Sequence, residues 1–191
     1  MSLFHQYLFP ALWFAWAGYW WLLSRNVKAS SRQEPLDSRL LHIVPLLLAV
    51  LFLWLPSAPL PAVLTIRLMP WAEWEFWVGA ALAAAGLLFT AWARIHLGRN
   101  WSGIVTVKHD HELITSGPYA LVRHPIYTGL LLAFIGSAFA RGEWRGVLAV
   151  HIVLLALWRK LKLEERWMRE QFGAQYDAYG QRVAALIPFV L

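Results

Sequence analysis

The sequence contains no cysteine, which excludes disulfides, thiolate catalysis and cysteine-ligated metal centres and leaves the redox compartment open. Charge is scarce as well. Only 15% of the 191 residues are Asp, Glu, Lys or Arg, against 59% hydrophobic residues and thirteen tryptophans, a balance that excludes an ordinary soluble domain. No G-x-G occurs anywhere, so the glycine-rich turn on which α/β enzymes hold a nucleotide-like cofactor is missing. There is no internal repeat and no low-complexity tract. The net charge of +6 would suggest nucleic acid only if it formed a stripe on a soluble fold; here the basic residues sit between apolar runs, so no nucleic-acid partner is expected.

What is present reads as an all-α integral membrane protein of five spans, at about 3–23, 40–55, 74–97, 125–140 and 144–161. The first run has neither a basic leader nor a small-residue cleavage site and is read as a retained anchor. The second and fourth are short for a hydrocarbon core of roughly 30 Å, which suits tilting or pairing as a hairpin. Fourteen of the seventeen basic residues fall in the first loop, around the end of the third span or in the C-terminal tail, and only Arg67, Arg141 and Arg145 fall in the other two connections. That asymmetry places the N-terminus outside and the C-terminus in the cytoplasm. The chain reads as one domain, 1–191, with N-terminal spans over 1–70 and a catalytic half over 71–191.

Residues 24–39 and the proline-rich "WLPSAPLPAV" at 54–63 are read as connectors. Gly79, Ala83 and Gly86 recur at helical spacing in the third span, the small-residue pattern that lets membrane helices approach closely. Trp71, Trp74, Trp77, Trp92 and Trp101 are read as interfacial aromatics. The charged "KLEERWMREQF" continues the fifth span as a helix that stops at Phe172 and Gly173. It shares the cytoplasmic side with "HDHELITSGPYALVRHP" at 109–125, where Gly117 and Pro118 favour a turn. These two polar segments are expected to meet over the bundle as a cytoplasmic pocket.

Taken singly, the residues of that pocket have plain explanations. His109 and His111 have a metal-like spacing, but no further ligand accompanies them, and no metal is expected. Arg123 at the membrane edge can snorkel to lipid phosphate, and Pro125 suits the first turn of a helix. Taken together, they put a cation, imidazoles, aromatic faces and a constrained turn within seventeen residues. Lys160 and Glu164 are four apart, hence on one helical face, so a cation and an anion project into one pocket.

Three ordered blocks, "LGRNWS" at 97–102, "HELITSGPYALVRHPIYTG" at 111–129 and "EERWMREQFGAQYDAYGQRV" at 164–183, with "IP" at 187–188, resemble the isoprenylcysteine carboxyl methyltransferase family of integral membrane enzymes, and the length suits a prokaryote-like member in an inner membrane. The resemblance implies S-adenosyl-L-methionine as cofactor. It implies contacts to that cofactor from His111, Glu112, Leu113, Ile114 and Tyr119, from His124, Pro125, Ile126 and Tyr127, and from Glu164. Where the family carries a substrate-associated arginine, this chain has Lys160 with Arg159 beside it; lysine keeps the charge without the two-pronged grip on a carboxylate. Lys160, Arg159 and Arg123 are the expected catalytic cations.

The implied reaction is methyl transfer to a lipophilic or lipid-linked acceptor at the membrane–cytoplasm interface. A carboxylate acceptor is ionised at neutral pH and needs no strong base. The first alternative is a phospholipid or other amine, or a thiol; an amine needs such a base, and His124 or Glu165 would serve. An NADPH-dependent sterol-type reductase is disfavoured by the short chain, and a non-catalytic scaffold by the clustering of polar blocks on one side.

Overall fold

The computed structural model describes residues 3–24, 30–58, 60–68, 70–108 and 112–188. In chain order it contains α1 (Leu3–Leu23), β1 (Ser30–Gln33), α2 (Leu36–Trp54), the single turn α3 (Ala62–Thr65), α4 (Glu73–Leu97), β2 (Thr106–Lys108), α5 (Pro125–Arg141), α6 (Trp144–Phe172) and α7 (Ala174–Arg182). Short 3-10 turns occupy Gly98–Asn100 and Gly117–Ala120. The five long helices coincide with the five apolar runs to within a few residues at most ends. The exception is α6, which carries on into the charged segment and stops at Gly173, whose φ of +51° no longer fits a helix.

Local chemistry sets the remaining boundaries. Pro125 sits at the first turn of α5, where its missing N–H is no loss and its fixed φ suits the helix. Gly142, at φ +66°, ends α5 in the left-handed conformation and lets α6 start two residues later. Glu73 and Glu75 in the first turn of α4, with Arg94 and His96 in its last, complement the helix dipole.

The tightest packing is between α4 and α5. A Cβ added at Gly79 would lie 2.5 Å from the carbonyl oxygen of Gly136, and one at Gly136 would lie 2.5 Å from that of Gly79. Gly86 and Gly129 oppose each other in the same way about two turns further along. Backbone therefore meets backbone, as the Gly79–Ala83–Gly86 spacing anticipates. α2 and α5 both pack on α6, around a core that includes Leu53, Phe134, Val153, Leu157 and Leu161. α1 is fastened by indoles: Trp16 Nε1 donates to Thr90 Oγ1 at 2.6 Å, and Trp13 Nε1 donates to Ser137 Oγ at 3.1 Å.

Outside, the helices are greasy. Phe14, Leu41, Leu47, Leu51, Leu88 and Leu155 are all exposed, a surface that water-soluble monomers do not present in this extent. The helices Leu36–Trp54 and Glu73–Asn100 are long and apolar enough to cross a bilayer, and Pro125–Arg141 is a shorter apolar helix.

Two features depart from the expectations. The polar connector after α1 is not merely a loop: β1 pairs antiparallel with β2, Arg32 opposite Val107 and Gln33 opposite Thr106, adding a small ribbon to a helical protein. Trp101 is not a free interfacial aromatic. The guanidinium of Arg94 lies over its ring at 4.4 Å and donates to the carbonyls of Gly98 and Leu23 at 2.7 and 2.6 Å, tying the end of α1 to that of α4. At the opposite end Arg145, almost fully buried, pairs with Glu143 at 2.6 Å and donates to the carbonyl of Leu55 at 2.7 Å, capping α2.

The α4–α5 contact yields a direct test. Gly86→Leu forces a side chain against the backbone of α5, and overpacking of this kind costs about 1–3 kcal/mol or more. The thermal midpoint in detergent is expected to fall by about 2–4 °C for each kcal/mol. Gly18→Ala, at a position with nothing within 4 Å of an added Cβ, is expected to leave it unchanged or slightly raised.

Candidate functional site

A cleft of about 300 Å³ opens where the 98–105 segment, the 112–127 segment and the second half of α6 converge. The turn before α5 is held by residues some sixty positions later. The backbone N–H groups of Arg123 and His124 donate to the carbonyls of Ala184 and Ala185 at 2.8 and 3.0 Å, and Thr128 Oγ1 donates to the carbonyl of Leu186 at 2.7 Å. Tyr179 on α7 adds a hydrogen bond of 2.5 Å to the carbonyl of Tyr119. The segment after α7 is thus a strap across the start of α5.

Arg123 sits under this strap. Its Nη1 donates to the carbonyls of Gly180 and Val183, while Nε and Nη2 donate to Glu165 Oε1 at 2.9 and 2.5 Å. Glu165 is buried and also takes Arg169 Nη2 at 3.3 Å. His124 lies between two carboxylates, with Nδ1 at 3.5 Å from Glu164 Oε2 and Nε2 at 3.5 Å from Glu165 Oε1, and its ring is parallel to that of Tyr127 at 5.4 Å. Tyr127 donates its hydroxyl to Glu164 Oε1 at 2.5 Å. Lys160 Nζ, one turn before Glu164, donates to the carbonyl of Gly103 at 3.1 Å and lies 5.4 Å above the Tyr127 ring.

These contacts set the charges. Burial works against an ionised Glu165, but the neighbouring His124 imidazole and the hydrogen bonds from Arg123 outweigh it and hold the carboxyl down at about 2. Burial likewise disfavours a charged His124, yet Glu164 and Glu165 outweigh it and lift the imidazole above its ordinary value. Glu164 is lowered against its own burial by His124 and Lys160. Histidine and both glutamates therefore favour their charged forms, as an interlocked set.

Of the residues singled out in the sequence, Glu112, Leu113, Ile114, Tyr119, Arg123, His124, Pro125, Ile126, Tyr127, Lys160 and Glu164 all line this one cleft. His111, with His109, lies outside the described residues. Arg159 is directed elsewhere: Nη2 donates to Ser38 Oγ at 2.7 Å, Nη1 to the carbonyl of Ser38 at 3.1 Å, and Nη1 stands 3.7 Å from the buried Glu34. One step along a helix turns a side chain by about 100°, so Arg159 braces α2 while Lys160 faces the cleft. Sequence reasoning missed the wall supplied by Trp16, Trp20 and Leu46 from the first two long helices; those helices carry no motif, and only the tryptophan density of α1 hinted at it. Within "LGRNWS" the sequence suggests no role for Asn100 and only an interfacial one for Trp101, yet both line the cleft, and Asn100 Oδ1 is buried without a hydrogen-bond partner among the described residues.

An apolar helical bundle with one polar cleft at its rim, walled by helix ends and turns, defines a membrane-protein class of small-molecule site rather than a sheet-based one. The fold is that of the chain described as the eukaryotic intramembrane Ras methyltransferase ICMT (isoprenylcysteine carboxyl methyltransferase), with a TM-score of 0.60 and 24% identity over 78% of this chain and 52% of that one. The chain belongs to the phospholipid methyltransferase family, whose model matches residues 74–175, the stretch from α4 to the start of α7. It is 30% identical over 123 residues to the probable protein-S-isoprenylcysteine O-methyltransferase of Oryza sativa subsp. indica, covering 61% of this chain and 64% of that protein. It is 32% identical over 130 residues to the cobalt-zinc-cadmium resistance protein CzcN of Cupriavidus metallidurans, covering 66% and 58% respectively. The chain thus spans a little under two thirds of the length of these curated relatives.

The depressed Glu165 carboxyl makes acid stability diagnostic. Its stabilisation is present above the ordinary value of 4.5 and is lost as pH falls from there through about 2. The thermal midpoint of the wild type in detergent is expected to drop steeply over that window. Glu165→Gln, which leaves Arg123 with an uncompensated charge and costs about 3–5 kcal/mol at neutral pH, is expected to start lower and show a shallower slope.

Proposed function

We propose that the protein transfers a methyl group from S-adenosyl-L-methionine to a lipophilic carboxylate, in the manner of isoprenylcysteine carboxyl O-methylation. The observation that carries this reading is the composition of a single cleft. One part is polar and acidic, with Glu112, His124 and Glu164; the other is apolar and aromatic, with Trp16, Leu46, Leu130 and Leu157 from the helices that form the bundle. A water-soluble cofactor and a lipid-borne acceptor can meet only in such a junction.

The donor set suits the cofactor. Carboxylates at Glu112 and Glu164 complement a sulfonium and an ammonium, aromatic faces at Tyr119 and Trp101 suit an adenine, and the unpartnered Asn100 Oδ1 is an acceptor awaiting a donor. On this reading Glu112, Leu113, Ile114, Tyr119, His124, Pro125, Ile126, Tyr127 and Glu164 hold the cofactor, with His111 adjoining them. The cofactor supplies an already activated methyl group, so the residues mainly align the acceptor and exclude water. Lys160 holds the acceptor carboxylate. Arg159 keeps α6 registered on α2 through Ser38, and Arg123 keeps Glu165 and the strap in place.

An amine acceptor must lose a proton, and the groups suited to take it are engaged. Glu165 is held at about 2 by Arg123 and His124, and His124 is held towards its charged form by two carboxylates. That favours an acceptor which is already an anion. The same reading sets five spans in the membrane, with the N-terminus outside and the cleft open to the cytoplasm of a prokaryotic inner membrane.

Isothermal titration in detergent is expected to give binding of S-adenosyl-L-methionine, and Glu164→Gln to weaken it about tenfold to a hundredfold, as loss of a charge-assisted hydrogen bond worth about 1.5–3 kcal/mol predicts. No heat from folded protein would refute the cofactor assignment. Lys160→Met is expected to leave cofactor affinity nearly intact while abolishing most methyl transfer to a farnesylated cysteine analogue. Transfer to phosphatidylethanolamine alone, surviving Lys160→Met, would replace the carboxylate with an amine acceptor.

A further inference from the structure

A second cavity is larger than the cleft. A space of about 920 Å³ lies at the other end of the bundle, between the start of α1, the end of α2, the start of α4 and the end of α5. Its walls combine apolar side chains, Phe9, Leu53 and Phe76, with Arg141 and Glu73 near the helix ends. None of the residues assigned to the cofactor or acceptor reaches it.

Arg141 is the unusual group there. Its side chain is 29% exposed, and among the described residues none of its N–H groups makes a hydrogen bond. Its nearest anion, Glu143 Oε1, is 3.8 Å away, and the other oxygen of that carboxylate is taken by Arg145 at 2.6 Å. The other guanidiniums at this end are engaged: Arg67 pairs with the buried Glu75 at 2.7 Å, and Arg145 caps α2. A half-buried guanidinium with its donors unused, beside an apolar chamber, matches a phosphodiester better than any neutral group, because its planar fork grips two oxygens of one anion. Glu73, with its carboxylate exposed at the same cavity, offers a counterpart to a cation.

We propose that this cavity binds one zwitterionic phospholipid, with its phosphate on Arg141, its ammonium facing Glu73 and an acyl chain along Phe9, Leu53 and Phe76. The apolar wall distinguishes a lipid from free phosphate, which would leave that surface uncovered. The paired anion distinguishes a zwitterion from a purely anionic lipid, which Glu73 would repel. The site is separate from the cleft, and its occupancy does not depend on which acceptor the protein methylates.

Native mass spectrometry of the full-length protein, released from a delipidating detergent with phosphatidylethanolamine, phosphatidylglycerol or diacylglycerol added, tests this. Wild type is expected to retain one phosphatidylethanolamine, at least tenfold in preference to diacylglycerol. Arg141→Gln is expected to reduce that retention about tenfold, and Glu73→Gln to erase the preference for phosphatidylethanolamine over phosphatidylglycerol. Gln6→Trp, which keeps both charged groups and places an indole at an exposed position on the cavity wall, serves as a second variant should Arg141→Gln fold poorly, and is expected to lower retention to a similar degree. Retention that is unchanged in both Arg141→Gln and Gln6→Trp, that is equal for diacylglycerol, or that millimolar inorganic phosphate abolishes would overturn the proposal.

Discussion

Arg123 and Glu165 meet in a buried contact on which the cleft depends. Neither group would be tolerated alone: a buried unpaired charge costs several kcal/mol, and each is held in place by the other. Because the same guanidinium also takes the carbonyls of Gly180 and Val183, one side chain joins α6, the turn before α5 and the segment after α7. His124 follows directly in sequence and is thereby delivered between Glu164 and Glu165. The orientation of Glu164, and with it that of Tyr127, descends from that anchoring.

The bundle beneath is held by other means. In a bilayer, hydrocarbon gains little by leaving lipid for protein, so close approach and polar contacts between helices supply the cohesion. Glycine against glycine between α4 and α5 provides the first. Trp13 and Trp16 on Ser137 and Thr90 provide the second, together with arginines that cap helix ends. The three basic residues at the end of the bundle away from the cleft illustrate this economy. Arg67 and Arg145 are structural members, their charge used within the chain, whereas Arg141 makes no hydrogen bond from its guanidinium among the described residues.

Much of this was legible in the sequence, and what was not has physical reasons. The helix boundaries follow from apolar runs interrupted by Gly142, Gly173 and Pro125, whose backbone preferences act locally. The α4–α5 contact is written as three small residues at helical spacing, and Lys160 with Glu164 as a pair four apart. Side-chain direction is a tertiary property. Nothing in "WRKLKLEE" tells Arg159, which turns to Ser38, from Lys160, which turns to the cleft, since each is flanked by both charge and hydrocarbon. Strands of four and three residues are too short to show alternation, so the β1–β2 ribbon left no trace. The walls from α1 and α2 could not be read because their contribution is shape, and any large apolar side chain spells it alike.

The strap over the start of α5 also orders events in time. The hydrogen bonds that set the RHP turn come from carbonyls about sixty residues downstream, whereas the α4–α5 and α5–α6 contacts join neighbours in the chain. During synthesis the helices can assemble while the polar rim is still open. Until Gly180 to Leu186 have emerged, Arg123 lacks its carbonyl partners and the wall from α7 is missing. A nascent chain arrested before that point holds a bundle without a finished binding surface, so membrane assembly comes first and competence for a ligand is conferred by a stretch that arrives after all five long helices.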